Sequence, residues 1–317
     1  MRVLIAYDGS KSSEAALDDL VRSGLPGSGE ALIVSVAEVW LPPVAEKATV
    51  NGDTGIHLDP ESERRLREHE ARSRQAVEEA HTLAKHGMQR FSRFFPDWTV
   101  TSEANYGSPA WEILSRADSF QPDLIVVGSH GRSAVSRFFL GSISEKILTE
   151  ARCSVRIARG RIEVDPTPAR IMAGFDGSAG AAAAIETIAS RTWPKGSEAR
   201  LVAAANPMTP SAIGRFIPPV VDVVEEVNDA ERAWLENLAD EFLEKLRGRG
   251  LTADLHIHSG NPKVLLVDEA QRWNADCIFV GATALGGRVE RFLLGSTSAA
   301  VASRAHCSVE VVRKPTG

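Results

Sequence analysis

The chain has 317 residues, 43% of them hydrophobic and 25% charged, with a formal net charge of −6. That length allows two domains, each with a buried core, and the acidic balance argues against a nucleic-acid partner, which needs a basic surface. Three cysteines, Cys153, Cys277 and Cys307, cannot all pair and form no C-x-x-C; with no signal peptide at the N-terminus and no run of membrane-spanning length, a cytoplasmic protein is expected.

In chain order, Val3–Tyr7 predicts a first strand that ends in the turn Asp8-Gly9-Ser10, followed by an alanine- and leucine-bearing helix to about Ser23. Ala31–Val36 predicts a second strand, with a proline-bearing loop through Pro60 behind it. A charged helix is expected from about Glu61 to Phe94, where Val77, Ala80, Ala84, Met88 and Phe91 recur at helical spacing, and Pro96 ends it. Trp98–Ala104 reads as a third strand, Pro109–Ala117 as a helix, Leu124–Val127 as a fourth strand, Ser142–Glu150 as a helix and Ser154–Ala158 as a fifth strand. Strands alternating with helices imply right-handed crossovers and a mainly parallel sheet. A short linker, about Gly160–Pro168, carries Pro166 and Pro168 and tethers closely what comes next.

What comes next is the same unit again. RVLIAYDGS at residues 2–10 recurs as RIMAGFDGS at 170–178, and residues 31–36 align with 199–204 at the same offset of 168. Gly107-Ser-Pro109 matches Gly260-Asn-Pro262, and residues 123–128, DLIVVG, match residues 276–281, DCIFVG. RFFLGS at 137–142 matches RFLLGS at 291–296, and Cys153-Ser-Val155 matches Cys307-Ser-Val309. The period is too long for a solenoid, so the units are two complete domains, placed at 1–160 and 168–317. Each is expected to be a doubly wound, Rossmann-like or flavodoxin-like, open five-stranded sheet.

One loop carries the chemistry. After the fourth strand, Gly128, Gly131, Gly141 and Ser142 form the pattern G-x2-G-x9-G-S. Glycines let several backbone N–H groups approach one ligand, and the helix start after Ser142 adds free N–H groups and the positive end of a dipole. Phosphate fits such a loop, although glycines also mark ordinary strand–helix turns. Ligands of open α/β sheets sit beyond the carboxyl ends of the strands where the strand order reverses. Asp8 and Gly128 then stand on two lips of one crevice. Asp8 repels phosphate and is expected to accept hydrogen bonds from a base or ribose; the alternative is that it only caps the following helix.

With these residues in place the chain resembles the universal stress protein family, twice over nearly its whole length. The Asp-Gly-Ser turn, the run VGSHGRS…FFLGSIS and the closing A-x-C-S-V carry the resemblance. It implies an ATP site, with or without Mg2+, in which Asp8 and the Val36 backbone meet the adenine and ribose. Gly128, Gly131, Gly141 and Ser142 hold the phosphates, Ala6 and Ile143 line the pocket, and Val127, Arg132 and Ser144 complete the candidate set. The family pairs through its fifth strand, which implies an internal pseudo-dimer here, with a further homodimer left open.

The second unit departs from the pattern. Ala284 replaces the second glycine, and Gly295 lies 14 positions after Gly281 where the first unit has 13. Alanine in a left-handed conformation costs roughly 1–2 kcal/mol, and an inserted residue, placed near Arg288, displaces a loop by up to roughly 3.5 Å. Hydrogen bonds to phosphate do not survive such a slip unchanged, although Gly286 and Gly287 offer a different loop. A weak, altered or lost site is therefore expected at Asp176, Ala204, Gly281, Gly295, Ser296 and Thr297.

Other candidates read as structural. His130 sits in the loop without a visible carboxylate to orient it, and Arg132, Arg137 and Arg291 are either phosphate partners or ordinary surface arginines. His256 and His258 alternate on a strand and share a face, but without a nearby third ligand they are not assigned to a metal. Cys153 and Cys307 precede a buried strand and read as core thiols, while the proline-bearing loops 41–60 and 206–219 are either lids or partner surfaces. No catalytic residue and no metal ligand is assigned. The function expected is a stress-response regulator that uses ATP as a conformational ligand, at most a slow ATPase because no Walker lysine is present. The alternatives are an adaptor with a vestigial site, acting through an unknown protein partner, and an adenine-nucleotide enzyme of the pyrophosphatase or nucleotidyl transferase class, whose S-G-G-x-D-S and H-x-G-H motifs are missing.

Overall fold

The computed structural model describes residues 1–39, 60–130, 140–159, 167–205, 218–282 and 294–313. Gly131, Arg132, Arg137, Ala284, Gly286, Gly287, Arg288 and Arg291 lie outside the described residues, as do 40–59, 160–166 and 206–217 of the expected loops and linker.

The first half runs β1 (Arg2–Ala6), α1 (Lys11–Asp19), β2 (Glu30–Ala37), α2 (Pro60–Phe94), β3 (Thr99–Tyr106), α3 (Pro109–Phe120), β4 (Leu124–Gly128), α4 (Ser142–Glu150) and β5 (Ser154–Ala158). The second repeats it as β6 (Arg170–Phe175), α5 (Ala179–Ser190), β7 (Glu198–Ala205), α6 (Pro218–Gly248), β8 (Thr252–Ser259), α7 (Pro262–Trp273), β9 (Cys277–Gly281), α8 (Ser296–Arg304) and β10 (Ser308–Val312). Strand ends differ from expectation by one or two residues, and two helix ends differ by more. The first helix stops at Asp19 and tightens into a 3-10 turn over Leu20–Arg22. The helix α3 runs on past Ala117 to Phe120 and ends on Gln121 in the left-handed conformation, φ 52°.

The ten strands make one sheet in the order β3-β2-β1-β4-β5-β10-β9-β6-β7-β8. Among the described residues nine strand pairs hold it together, and only β5 with β10 is antiparallel, Glu310 standing opposite Arg156. The fifth strands thus pair as the resemblance implied, and the two sheets fuse into one. Helices α3, α4, α7 and α8 cover one face over a core continuous across both halves, from Leu4 and Ile113 to Leu266 and Val311. The opposite face has two separate cores, one under α1 and α2 around Ile5, Leu17 and Phe91, the other under α5 and α6 around Ile185, Leu201 and Leu246.

A buried ion cluster crosses the seam. Arg156 is 1% exposed, and its guanidinium donates to Asp19 at the end of α1 (2.6 and 3.1 Å) and to Glu310 (3.3 Å). Arg191, just after α5, donates to the other Glu310 oxygen and to the Ser23 carbonyl (2.8 Å). Burial alone opposes the charge on Arg156, but Asp19 and then Glu310 outweigh it and hold its pKa above the ordinary arginine range. Two cations and two carboxylates balance there, so no charge is buried without a partner.

Candidate functional site

The strand order reverses between β1 and β4. Ile5 pairs with Val126, so Ala6 and Asp8 leave one strand where Val127 and Gly128 end the other, and a crevice opens between them. The last register pair of β1 with β2 is Ala6 with Val34, and the Tyr7 N–H donates to the Val34 carbonyl (2.9 Å). Hydrogen-bonding direction alternates along a strand, so the Val36 N–H and C=O point to the same side as those of Val34, beyond the end of β1. They face the crevice. Ala6 and Val36 pack against the core that contains Val127, which gives that end of the crevice an apolar floor suited to a flat ring.

Asp8 shapes the turn rather than capping the helix. Its Oδ1 accepts from the Ser10 N–H (3.0 Å), and Ser10 is the N-cap of α1, accepting from the Ser13 N–H (3.2 Å). Gly9 takes φ 72°, which a side chain would resist. The carboxylate is left half-buried at the mouth of the crevice.

On the other lip, Gly128 is required by packing. A Cβ there would meet Ser12 Oγ at 2.8 Å and the Ser12 backbone at 2.9 Å, because α1 lies against the end of β4. Ser12 also holds the start of the loop: its Oγ accepts from the His130 N–H (3.2 Å). His130 Nδ1 is 2.9 Å from Ser129 Oγ, so its ring is oriented by a hydroxyl.

Gly141 is the N-cap of α4 in extended geometry, φ −65°, and its own N–H donates to the Ser129 carbonyl (2.9 Å). That amide closes the base of the loop and does not face a ligand. No side chain among the described residues caps α4, so the Ser142, Ile143 and Ser144 amides have no intrahelical acceptor and sit at the positive end of the helix. Ser142 and Ile143 are exposed, whereas the Ser144 hydroxyl is buried and donates to the Gly128 carbonyl (2.7 Å), tying α4 to β4. Ser144 therefore offers a ligand its amide only.

The second crevice repeats these bonds between β6 and β9. Asp176 Oδ1 accepts from the Ser178 N–H (3.0 Å), Gly295 caps α8, and Ser298 Oγ donates to the Gly281 carbonyl (2.8 Å). A Cβ on Gly281 would come within 2.2 Å of the Gly180 backbone, the same packing demand as at Gly128. Ser296 and Thr297 begin α8 as Ser142 and Ile143 begin α4, and Ala204 lies near the end of β7 opposite His258. The floor differs. Gly174 replaces Ala6, and the space its Cβ would take adjoins Leu266 at 3.2 Å. Trp234 of α6 also leans over Gly177, 2.9 Å from where a Cβ would stand.

Two further groups stand apart from the crevices. Burial raises the Cys153 and Cys277 thiols to about 11 and about 12, and Cys307 is raised as well, so all three stay protonated and inert. His256 and His258 of β8 meet a partner that sequence spacing did not reveal: Glu269 of α7, the three ligand atoms lying within 4.8 Å of one another.

Comparison with known proteins places this geometry. The sequence model described as "Universal stress protein family" matches residues 1–159 and again residues 168–313. A universal stress protein of Mycobacterium tuberculosis is 25% identical over 320 residues, covering 98% of this chain and 97% of its own. The universal stress protein YxiE of Bacillus subtilis is 32% identical over 161 residues, which is 50% of this chain and 98% of that protein. The crystal structure of a universal stress protein from Archaeoglobus fulgidus shares the fold, with a TM-score of 0.57 and 21% identity over 99% of this chain and 96% of its own. No helix among the described residues is long and apolar enough to cross a membrane.

Proposed function

The chain belongs to the universal stress protein family, and from that premise we propose that it is a cytoplasmic stress-response regulator whose first domain, residues 1–160, binds ATP as a conformational ligand. The reading rests on one observation. At the β1/β4 switch point, Asp8 and the outward-facing Val36 backbone stand on one side and the uncapped first turn of α4 on the other. A purine and ribose meet acceptors and an apolar floor at the first, and a polyphosphate, with or without Mg2+, meets amides and a positive dipole end at the second. The second domain, residues 168–317, keeps Asp176, Gly281, Gly295, Ser296 and Thr297 but has Gly174 and Leu266 beneath the ring position, and is assigned weak or no binding. Turnover is slow or absent, since the sequence has no Walker lysine.

Acid extraction of freshly purified protein followed by mass spectrometry is expected to release an adenine nucleotide approaching one per chain. Protein that emerges empty and takes up no added ATP would count against the reading. A second reading, an adaptor working through protein contacts, is favoured by the exposed apolar side chains Val223, Val227, Trp234 and Leu238 on α6. It predicts normal cellular function when nucleotide binding has been abolished.

A further inference from the structure

We propose that His256, His258 and Glu269 form a binding site for a divalent transition-metal ion, with Zn2+ the best match, on the outer edge of the second domain. His256 and His258 lie two residues apart on β8, and so point to the same face, the one covered by α7. Glu269 reaches them from α7. Its Oε2 is 3.8 Å from His258 Nε2, and its Oε1 is 3.9 Å from His256 Nδ1. Tetrahedral zinc with bonds of 2.0–2.2 Å sets its ligands about 3.4 Å apart, so closing these gaps needs only small side-chain rotations.

The state of the ligand atoms points to an ion. The Glu269 side chain is 5% exposed, and its Oε2 has only the exposed Arg272 guanidinium beside it at 2.9 Å, outside hydrogen-bonding geometry, among the described residues; His258 Nε2 is buried and engages no hydrogen bond. A buried ring nitrogen is rarely left in this condition, and a cation between it and Oε2 gives the imidazole its partner while taking the place of Arg272 on the carboxylate. His256 is prepared as a metal ligand usually is. Its Nε2 is 3.3 Å from Asp254 Oδ2 in an ion-pair contact, and a small turn of the ring that brings the Nε2–H onto that carboxylate leaves the lone pair on Nδ1, the atom 3.9 Å from Glu269 Oε1.

Two arginines border the site. Arg200 donates to Glu269 Oε1 (3.1 Å) and to both Asp254 oxygens (3.2 Å each) while stacking on the Trp273 ring, so it fixes both carboxylates from behind. Arg272 has its guanidinium 2.9 Å from Glu269 Oε2, and its side chain is 60% exposed. It is the group an incoming ion displaces into water. The histidines are about one-third exposed, which leaves an entry path and room for water in the fourth position.

The first domain supplies an internal control. Val34 pairs with Glu103 as Val202 pairs with His256, and Val36 pairs with Asn105 as Ala204 pairs with His258. Arg116 stands in α3 where Glu269 stands in α7, and it forms an ion pair with Glu103. One repeat fills this place with a simple salt bridge, and the other has replaced all three residues with metal-ligating types. Two imidazoles with one carboxylate suit zinc rather than magnesium, which prefers oxygen ligands in octahedral array.

The test is isothermal titration of the full chain, stripped of metal and with no nucleotide added, with Zn2+ and separately with Mg2+. One Zn2+ per chain is expected, with no comparable heat from Mg2+. His258→Ala should abolish stoichiometric binding, and Asp254→Asn should weaken it about 10- to 100-fold, as for loss of an outer partner. His258 is a partly exposed residue, so the variant should melt at the wild-type temperature without metal; His256→Ala is the second variant should it not. Zinc binding that persists in both histidine variants, or wild-type protein with no stoichiometric zinc site, would overturn the proposal. The nucleotide reading stands or falls separately, because no nucleotide is present.

Discussion

Replacing Glu310 with alanine is expected to lower the stability of the chain by about 3–5 kcal/mol, the range for removing one partner from a buried ion pair. The carboxylate is 0% exposed and answers Arg156 and Arg191 together. Without it Arg156 keeps Asp19, but among the described residues Arg191 keeps only the Ser23 carbonyl and the face of the Phe279 ring, neither of them a counter-charge. A guanidinium left in a dry seam has no cheap way to lose its proton. The effect should appear as a lower urea midpoint with little change in slope. Glu186→Ala is the control, since the Lys245–Glu186 pair is near half exposed on both sides and is worth less than about 1 kcal/mol. If the two substitutions cost the same, the seam cluster is not what joins the halves.

The second large effect concerns the nucleotide. Ile143→Asp should weaken ATP binding about a hundredfold or more while leaving the melting temperature of the empty protein unchanged or slightly higher. Ile143 is 37% exposed in the first turn of α4, so little core packing is lost. A carboxylate in a helix's first turn stabilises it by about 0.3–1 kcal/mol. The same carboxylate opposes a polyphosphate seated on those amides: two like charges 4 Å apart cost about 4 kcal/mol at an effective dielectric of 20. Saturating ATP should therefore raise the melting temperature of the wild type and not that of the variant, a ligand at a hundred times its Kd contributing about 2.7 kcal/mol. An equal rise in both would remove α4 from the site.

Much of this was legible in the sequence, and the parts that were not share a cause. The alternation of strands and helices, the duplication and the Asp-Gly-Ser turn are local patterns, and local patterns survive without knowledge of packing. Gly128 reads from the sequence as a ligand glycine, while a separate packing demand on it comes from Ser12, 116 positions earlier, and only the docking of α1 on β4 reveals that demand. The spacing puts Gly141 among the phosphate holders, yet its amide turns back to Ser129, a bond that no spacing rule gives. Glu269 joins His256 and His258 through the rotation of α7 about its own axis, which packing sets and sequence does not. The seam did leave a trace. Arg156 and Glu310 each interrupt an otherwise apolar strand, SVRIA and SVEVV, and a charge inside such a strand demands a partner.

The central claim is that one adenine nucleotide occupies the crevice between β1 and β4. Isothermal titration of nucleotide-free full chain with ATP tests it most directly. The account predicts saturation near one ATP per chain, lost in Asp8→Ala and Ile143→Asp and kept in Asp176→Ala. No saturable binding, or binding that survives the first two substitutions and vanishes with the third, would contradict it.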